Sequence, residues 1–143
     1  MNAASAAVAG AAIFIWLGMV LAISFLEAPL KFRAPGVDIP IGLGIGRIVF
    51  RALNRAETTL ALVALAAIVV GRPTGAVAAL TAVILVVLAG QLTVIRPQLN
   101  RRTDRVLAGQ NPPRSPVHLY YVAAEAAKVL TLTALGICLL AAG

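Results

Sequence analysis

The chain has 143 residues, 61% of them hydrophobic and only 12% charged, with a mean hydropathy of +0.97. Soluble domains carry about a quarter charged residues, so a water-soluble globular fold is excluded and lipid is the expected solvent. The net charge of +7 would suggest nucleic acid in a soluble protein. Here the basic residues lie between apolar spans without interleaved aromatics, which points to loops facing anionic lipid headgroups and to no nucleic-acid partner.

The first predicted element is a helix over about residues 4–27, an apolar run long enough to cross a hydrocarbon core of ~30 Å. Its start, MNAASAAVAG, has no basic n-region and the run is too long for a cleaved signal peptide, so it reads as a resident span. Trp16 sits mid-span, away from the interfacial belt where tryptophan collects, and its indole N–H calls for an internal partner. The small residues Ala3, Ala4, Ala7, Gly10 and Ala11 predict close contact between copies, hence a homo-oligomer. Downstream, GLGIG lacks the strand and the Lys-Ser/Thr of a phosphate-binding loop. Gly42 and Gly46, four apart, instead permit close helix approach.

The second apolar run, 58–70, reaches only about 20 Å, one-third short of a crossing. Extending it to 46–70 closes the gap and carries Arg47, Arg51, Asn54, Arg55 and Glu57 into the helix. The third helix, 76–95, is uninterrupted and contains Gln91. The fourth run, 129–142, is short like the second; opened by Pro116, it becomes 116–142 and takes in His118, Tyr121, Glu125 and Lys128. Continuous apolar runs exclude a barrel. The expected fold is therefore an all-α integral membrane protein, a four-transmembrane-helix bundle in one domain over 1–143, with no visible internal repeat. Basic residues crowd the first and third connections, while GRPTG between helices two and three holds only Arg72. The positive-inside rule then puts both termini outside a cell inner (plasma) membrane.

Counting from the outer helix ends at 1.5 Å per residue places Glu57, Gln91 and Lys128 at one depth, about 20–22 Å down. Ionisable groups at such depth normally face the bundle and pair. Arg51, Asn54, Glu57, Gln91, Tyr121, Glu125 and Lys128 are the main ligand-binding candidates; Glu27, Arg47, Arg55, Arg96 and His118 are secondary. One reading is structural: Glu27, Glu57 and Glu125 neutralise Arg51, Arg55, Arg96 or Lys128 and fix helix register. The other is a cytoplasm-facing cavity for an anionic or amphipathic small molecule or lipid headgroup, or a layer that supports complex assembly. A small transporter or proton relay is a further alternative, because intramembrane Glu and Lys pairs suit it. No metal site is expected, since His118 stands alone and Glu125 is two turns away. No cofactor is predicted; haem on His118 and glutathione are the two left open. Nucleophilic catalysis has no motif: there is no Ser-His-acid order, and Cys138, the single cysteine, lies among Ile137, Leu139 and Leu140.

WLGMVLAISFLEAPLKF, RPQLNRR and SPVHLYY together resemble the transmembrane protein 205-like family, a domain of unknown function with four membrane helices. The likeness runs through Trp16 and Gly18, Ala28-Pro29 followed by Phe32, Gly46 to Phe50, Arg96-Pro97 and His118. It implies a fold and a membrane, and no established activity. Arg51-Ala52-Leu53-Asn54-Arg55-Ala56-Glu57 is similar to the Arg-Ala-x-x-Asn-x-x-Glu signature of the membrane-associated eicosanoid and glutathione metabolism family, also four-helix proteins, usually trimers. That likeness implies the alternative of a glutathione-dependent membrane enzyme, with glutathione held by Arg51, Asn54 and Glu57 on the cytoplasmic side. One residue is missing between Ala52 and Asn54, so only Asn54 and Glu57 match in register, and the proline usual after the glutamate is absent.

Overall fold

The computed structural model describes all residues from Met1 to Gly143. It contains only helices, and four of them are long and apolar enough to cross a membrane: α1, Ala3–Arg33; α2, Ile39–Val70; α3, Gly75–Leu107; and α4, Val117–Ala142. Their starts are chemically marked. The Asn2 side chain accepts from Ser5 N at 2.7 Å, Asp38 from Ile41 N at 2.9 Å and Thr74 from Val77 N at 3.3 Å. Each satisfies a first-turn amide that has no partner inside its helix. Pro40, in the first turn of α2, forfeits no intrahelical bond.

The first three helices run well beyond the predicted 4–27, 46–70 and 76–95. Hydropathy marks where lipid ends; it does not mark where the hydrogen-bond ladder ends. The polar turns of α2 and α3 favour a helix as readily as the apolar ones. α3 therefore continues through Arg96–Leu107, and Arg101, Arg102 and Arg105, expected in a connection, stand on a helix, leaving Arg114 in the loop. At 1.5 Å per residue α1–α3 are about 46–50 Å long, against ~30 Å of hydrocarbon.

Two helices change their winding on the way. Leu21–Glu27 in α1 and Gln91–Ile95 in α3 are π-helical, with Ala28 N–H bonding Ile23 O and Arg96 N–H bonding Gln91 O. Each stretch ends two residues before a proline, Pro29 or Pro97. A proline ring collides with the carbonyl four residues back and donates no bond to it. The wider turn moves that carbonyl aside, and it also changes which side chains face inward.

The core on the side of the termini is apolar. Ile13, Trp16, Val20, Ile84, Leu132, Leu135 and Leu139 are almost fully buried there. Between helices solvated by lipid, packing of this kind would be held by close contact more than by any hydrophobic drive. An alanine methyl at Gly136 would sit 2.6 Å from Phe14 Cζ, whereas one at Gly10 meets nothing within 4 Å. Opposite signs are expected. Gly136→Val should cost about 1–3 kcal/mol, nearer the lower end because Phe14 is partly exposed and able to turn aside. Gly10→Ala should gain up to about 1 kcal/mol. Unfolding of the two variants in detergent compares them directly.

The packing also brings out a relation that the sequence hides. The same separation, 68 residues, links Pro29 to Pro97 and Glu57 to Glu125. At that separation the buried residues Ala9, Ile13, Trp16 and Val20 of α1 correspond to Val77, Thr81, Ile84 and Leu88 of α3, all buried. Leu53, Glu57 and Ala64 of α2 likewise correspond to buried Tyr121, Glu125 and Leu132 of α4. The molecule is thus two helical hairpins of the same design. The design is broken at one seam: α1 packs closely along α4, whereas the equivalent pair, α3 and α2, barely touches over its apolar length.

Candidate functional site

Where the four helices converge they bury a charged cluster. Lys128 Nζ lies 2.5 Å from Glu57 Oε2 and 2.6 Å from Glu125 Oε1. Trp16 Nε1–H donates to Glu57 Oε2 at 2.7 Å, Gln91 Nε2–H to Glu125 Oε1 at 2.7 Å and the Ser24 hydroxyl to Glu125 Oε2 at 2.5 Å. Glu57 and Lys128 are 1% exposed and Glu125 2%. Every helix contributes, and two of the donors, Ser24 and Gln91, stand on the π-helical turns, each on the face already set by the buried residues before it. One ammonium serves two carboxylates, and neutral donors supply the remaining bonds. Buried charge is tolerated only when it is paired and hydrogen-bonded in this way.

Towards the basic end, the cluster forms the floor of a cavity of about 430 Å³, whose walls include Glu125, Tyr121, His118, Arg96, Lys31 and Phe50. Tyr121 OH is 3.5 Å from Ser24 Oγ and so joins the cluster to the cavity. Phe50 and Tyr121 meet edge to face, centroids 5.6 Å apart at 87°. The Arg96 guanidinium lies 4.7 Å from the Phe50 centroid and 4.8 Å from that of Tyr121. Lys31 Nζ stands 5.7 Å from Phe50 and 5.6 Å from Phe32. Neither Arg96 nor Lys31 makes an ion pair. The third cation, Arg47, is bound to Asp104 Oδ1 at 2.6 Å and to Asn100 O at 2.9 Å.

The residues singled out from sequence therefore divide into three groups. Glu57, Gln91, Glu125 and Lys128 share the buried cluster. Tyr121, Arg96, His118 and Arg47 line the cavity. Arg51, Asn54 and Arg55 are in neither; they stand on an outer groove between α2 and α3. Successive residues turn about 100°, so Glu57 sits roughly 120° around α2 from Arg51 and 160° from Arg55. Once Glu57 faces the bundle, those arginines face out. Glu27 pairs with none of the cations, and its Oε2 is buried without a hydrogen-bond partner.

Ser24, Lys31 and Phe50 escape a reading of the sequence alone. Ser24 is the only polar side chain among its immediate neighbours, and Pro29 downstream was the available sign of an altered turn. Trp16 finds its internal partner in Glu57.

No protein-family model matches the chain, and no curated protein or solved structure matches it significantly. The chemistry has to be read from this geometry. No group of three His, Cys, Asp or Glu side chains stands close enough to hold a metal ion. Arg51, Asn54 and Glu57, which glutathione would need on one surface, are split between the outer groove and the sealed cluster. On the side of the termini, the cluster is closed by the apolar core around Trp16, Val20 and Leu132.

Proposed function

We propose that this chain is a multi-pass inner-membrane protein, with both termini outside, whose cavity binds an amphipathic small molecule carrying one anionic group. The observation that supports this reading is the pair of unpaired cations on the cavity wall. Arg96 and Lys31 are held in place by aromatic rings and leave their N–H donors free for an incoming carboxylate or phosphate. Phe25, Phe32, Leu43 and Leu99 offer the apolar body a surface, and the volume suits a small ligand. Glu125 would repel an anion, but three donors already engage it. With basic loops on the cytoplasmic side, the cavity opens at the cytoplasmic leaflet. Copies would associate along the exposed strip of Ala4, Ala7 and Ala11.

Titration of the detergent-purified protein with a dansyl-labelled fatty acid tests the proposal. Saturable binding is expected, weakened at least tenfold by Lys31→Ala or Arg96→Ala, with a neutral dansyl amide binding no better to wild type than to the variants. Undiminished fatty-acid binding in both variants would refute it.

A further inference from the structure

The open seam between α2 and α3 holds a second concentration of positive charge, outside the cavity. Arg51 and Arg55 of α2 face Arg96 of α3 across a groove of about 410 Å³, with Arg47, Asn54 and Asn100 at its sides. No carboxylate lines it. Arg51, Arg55 and Arg96 have no ion-pair partner, and the side chains of Asn54 and Asn100 have no hydrogen bond within the protein. Thr58 and Thr59 spend their hydroxyl protons on the carbonyls of Asn54 and Arg55, so the guanidinium and amide groups are the donors on offer.

Depth makes this costly without a partner. Counting about 20 residues back from Val70 puts the hydrocarbon boundary near Arg51 and Arg55 some 6 Å inside it. Both side chains are exposed, so a charge at that level must reach for the water and anions of the interface. Farther along the same stripe of α2 come exposed Leu62, Ala66, Val69 and Val70. A cationic head region thus continues into an apolar track on the outside of the bundle. A free anion would use only the first; a lipid uses both.

We infer that the seam between α2 and α3 is a binding site for an anionic phospholipid of the leaflet at the basic end, its phosphate held by Arg51, Arg55 and Arg96 and an acyl chain lying along α2. This requires only that the helices cross a bilayer; Arg96 borders both the seam and the cavity, so the test rests on Arg51 and Arg55, which line the seam alone.

Native mass spectrometry of the full chain in detergent, with phosphatidylglycerol or phosphatidylcholine added, provides the test. Wild type should retain phosphatidylglycerol in strong preference. Arg51→Gln with Arg55→Gln should weaken that retention by about thirty-fold, at the usual contribution of an interfacial basic residue, while Arg33→Gln, which removes an exposed charge at the same end but lines neither groove nor cavity, leaves it unchanged. Should the double glutamine variant fail to fold, Arg51→Lys with Arg55→Lys keeps the charge and loses the planar fork, and an intermediate loss is expected. Equal retention of the two lipids, wild-type retention in the double variant, or full displacement by millimolar inorganic phosphate would each overturn the assignment.

Discussion

Lys128→Met should destabilise the folded protein by about 3–5 kcal/mol, the usual cost of stranding a buried charge by removing its partner. Methionine is close to lysine in length and apolar character, so the loss is electrostatic rather than steric. Without Nζ, Glu57 keeps only the Trp16 donor, and Glu125 keeps only Gln91 and Ser24. Two buried carboxylates then face each other with no cation between them. Adding Glu57→Gln and Glu125→Gln to Lys128→Met should return most of the loss, because replacing a whole buried ion network is often close to neutral. Reversible unfolding in mixed micelles measures all of these variants. A Lys128→Met protein as stable as wild type would mean that the network is not closed to water.

The second large effect is expected at Trp16, which is fully buried and tied to the same network. Trp16→Ala removes the largest side chain of the core and should cost about 3–5 kcal/mol. Its neighbours Val20, Ile84 and Leu132 are themselves close-packed, which limits how far they collapse into the space. Trp16→Phe keeps most of the volume and removes the indole donor to Glu57. That variant should lose about 1.5–3 kcal/mol, the range for hydrogen bonds to charged groups. The difference between the two variants separates packing from hydrogen bonding. If Trp16→Phe is silent, the indole bond contributes nothing, and a water has taken its place.

The number of helices and their apolar character were legible in the sequence, because a hydrocarbon layer demands about 20 consecutive apolar residues and punishes exceptions. Depth was legible for the same reason: with rise per residue fixed, Glu57, Gln91 and Lys128 fall at one level by counting alone. Rotation was not. The angles between residues on one helix follow from sequence, but which angle faces the bundle depends on the neighbours. Arg51 and Arg55 could be grouped with Glu57 until packing turned them outward. Ser24, four residues after Val20 and eight after Trp16, already shares their face of a regular helix, but a lone serine in an apolar run gives no sign of a carboxylate partner on another helix. The hairpin duplication was obscured because, beyond Pro29 and Pro97 and Glu57 and Glu125, the equivalent buried positions named above share burial and not residue type, as Trp16 and Ile84 do.

Trp16 is the chain's one tryptophan, and its ring nitrogen touches the cluster directly. Ultraviolet excitation of the untagged protein therefore reports, through indole emission with no label or added dye, on the very carboxylate that Lys128 holds. A molecule seated against Glu125 would perturb that light through one shared ammonium, so occupancy of the cavity should be followed optically in reconstituted vesicles that hold no other protein.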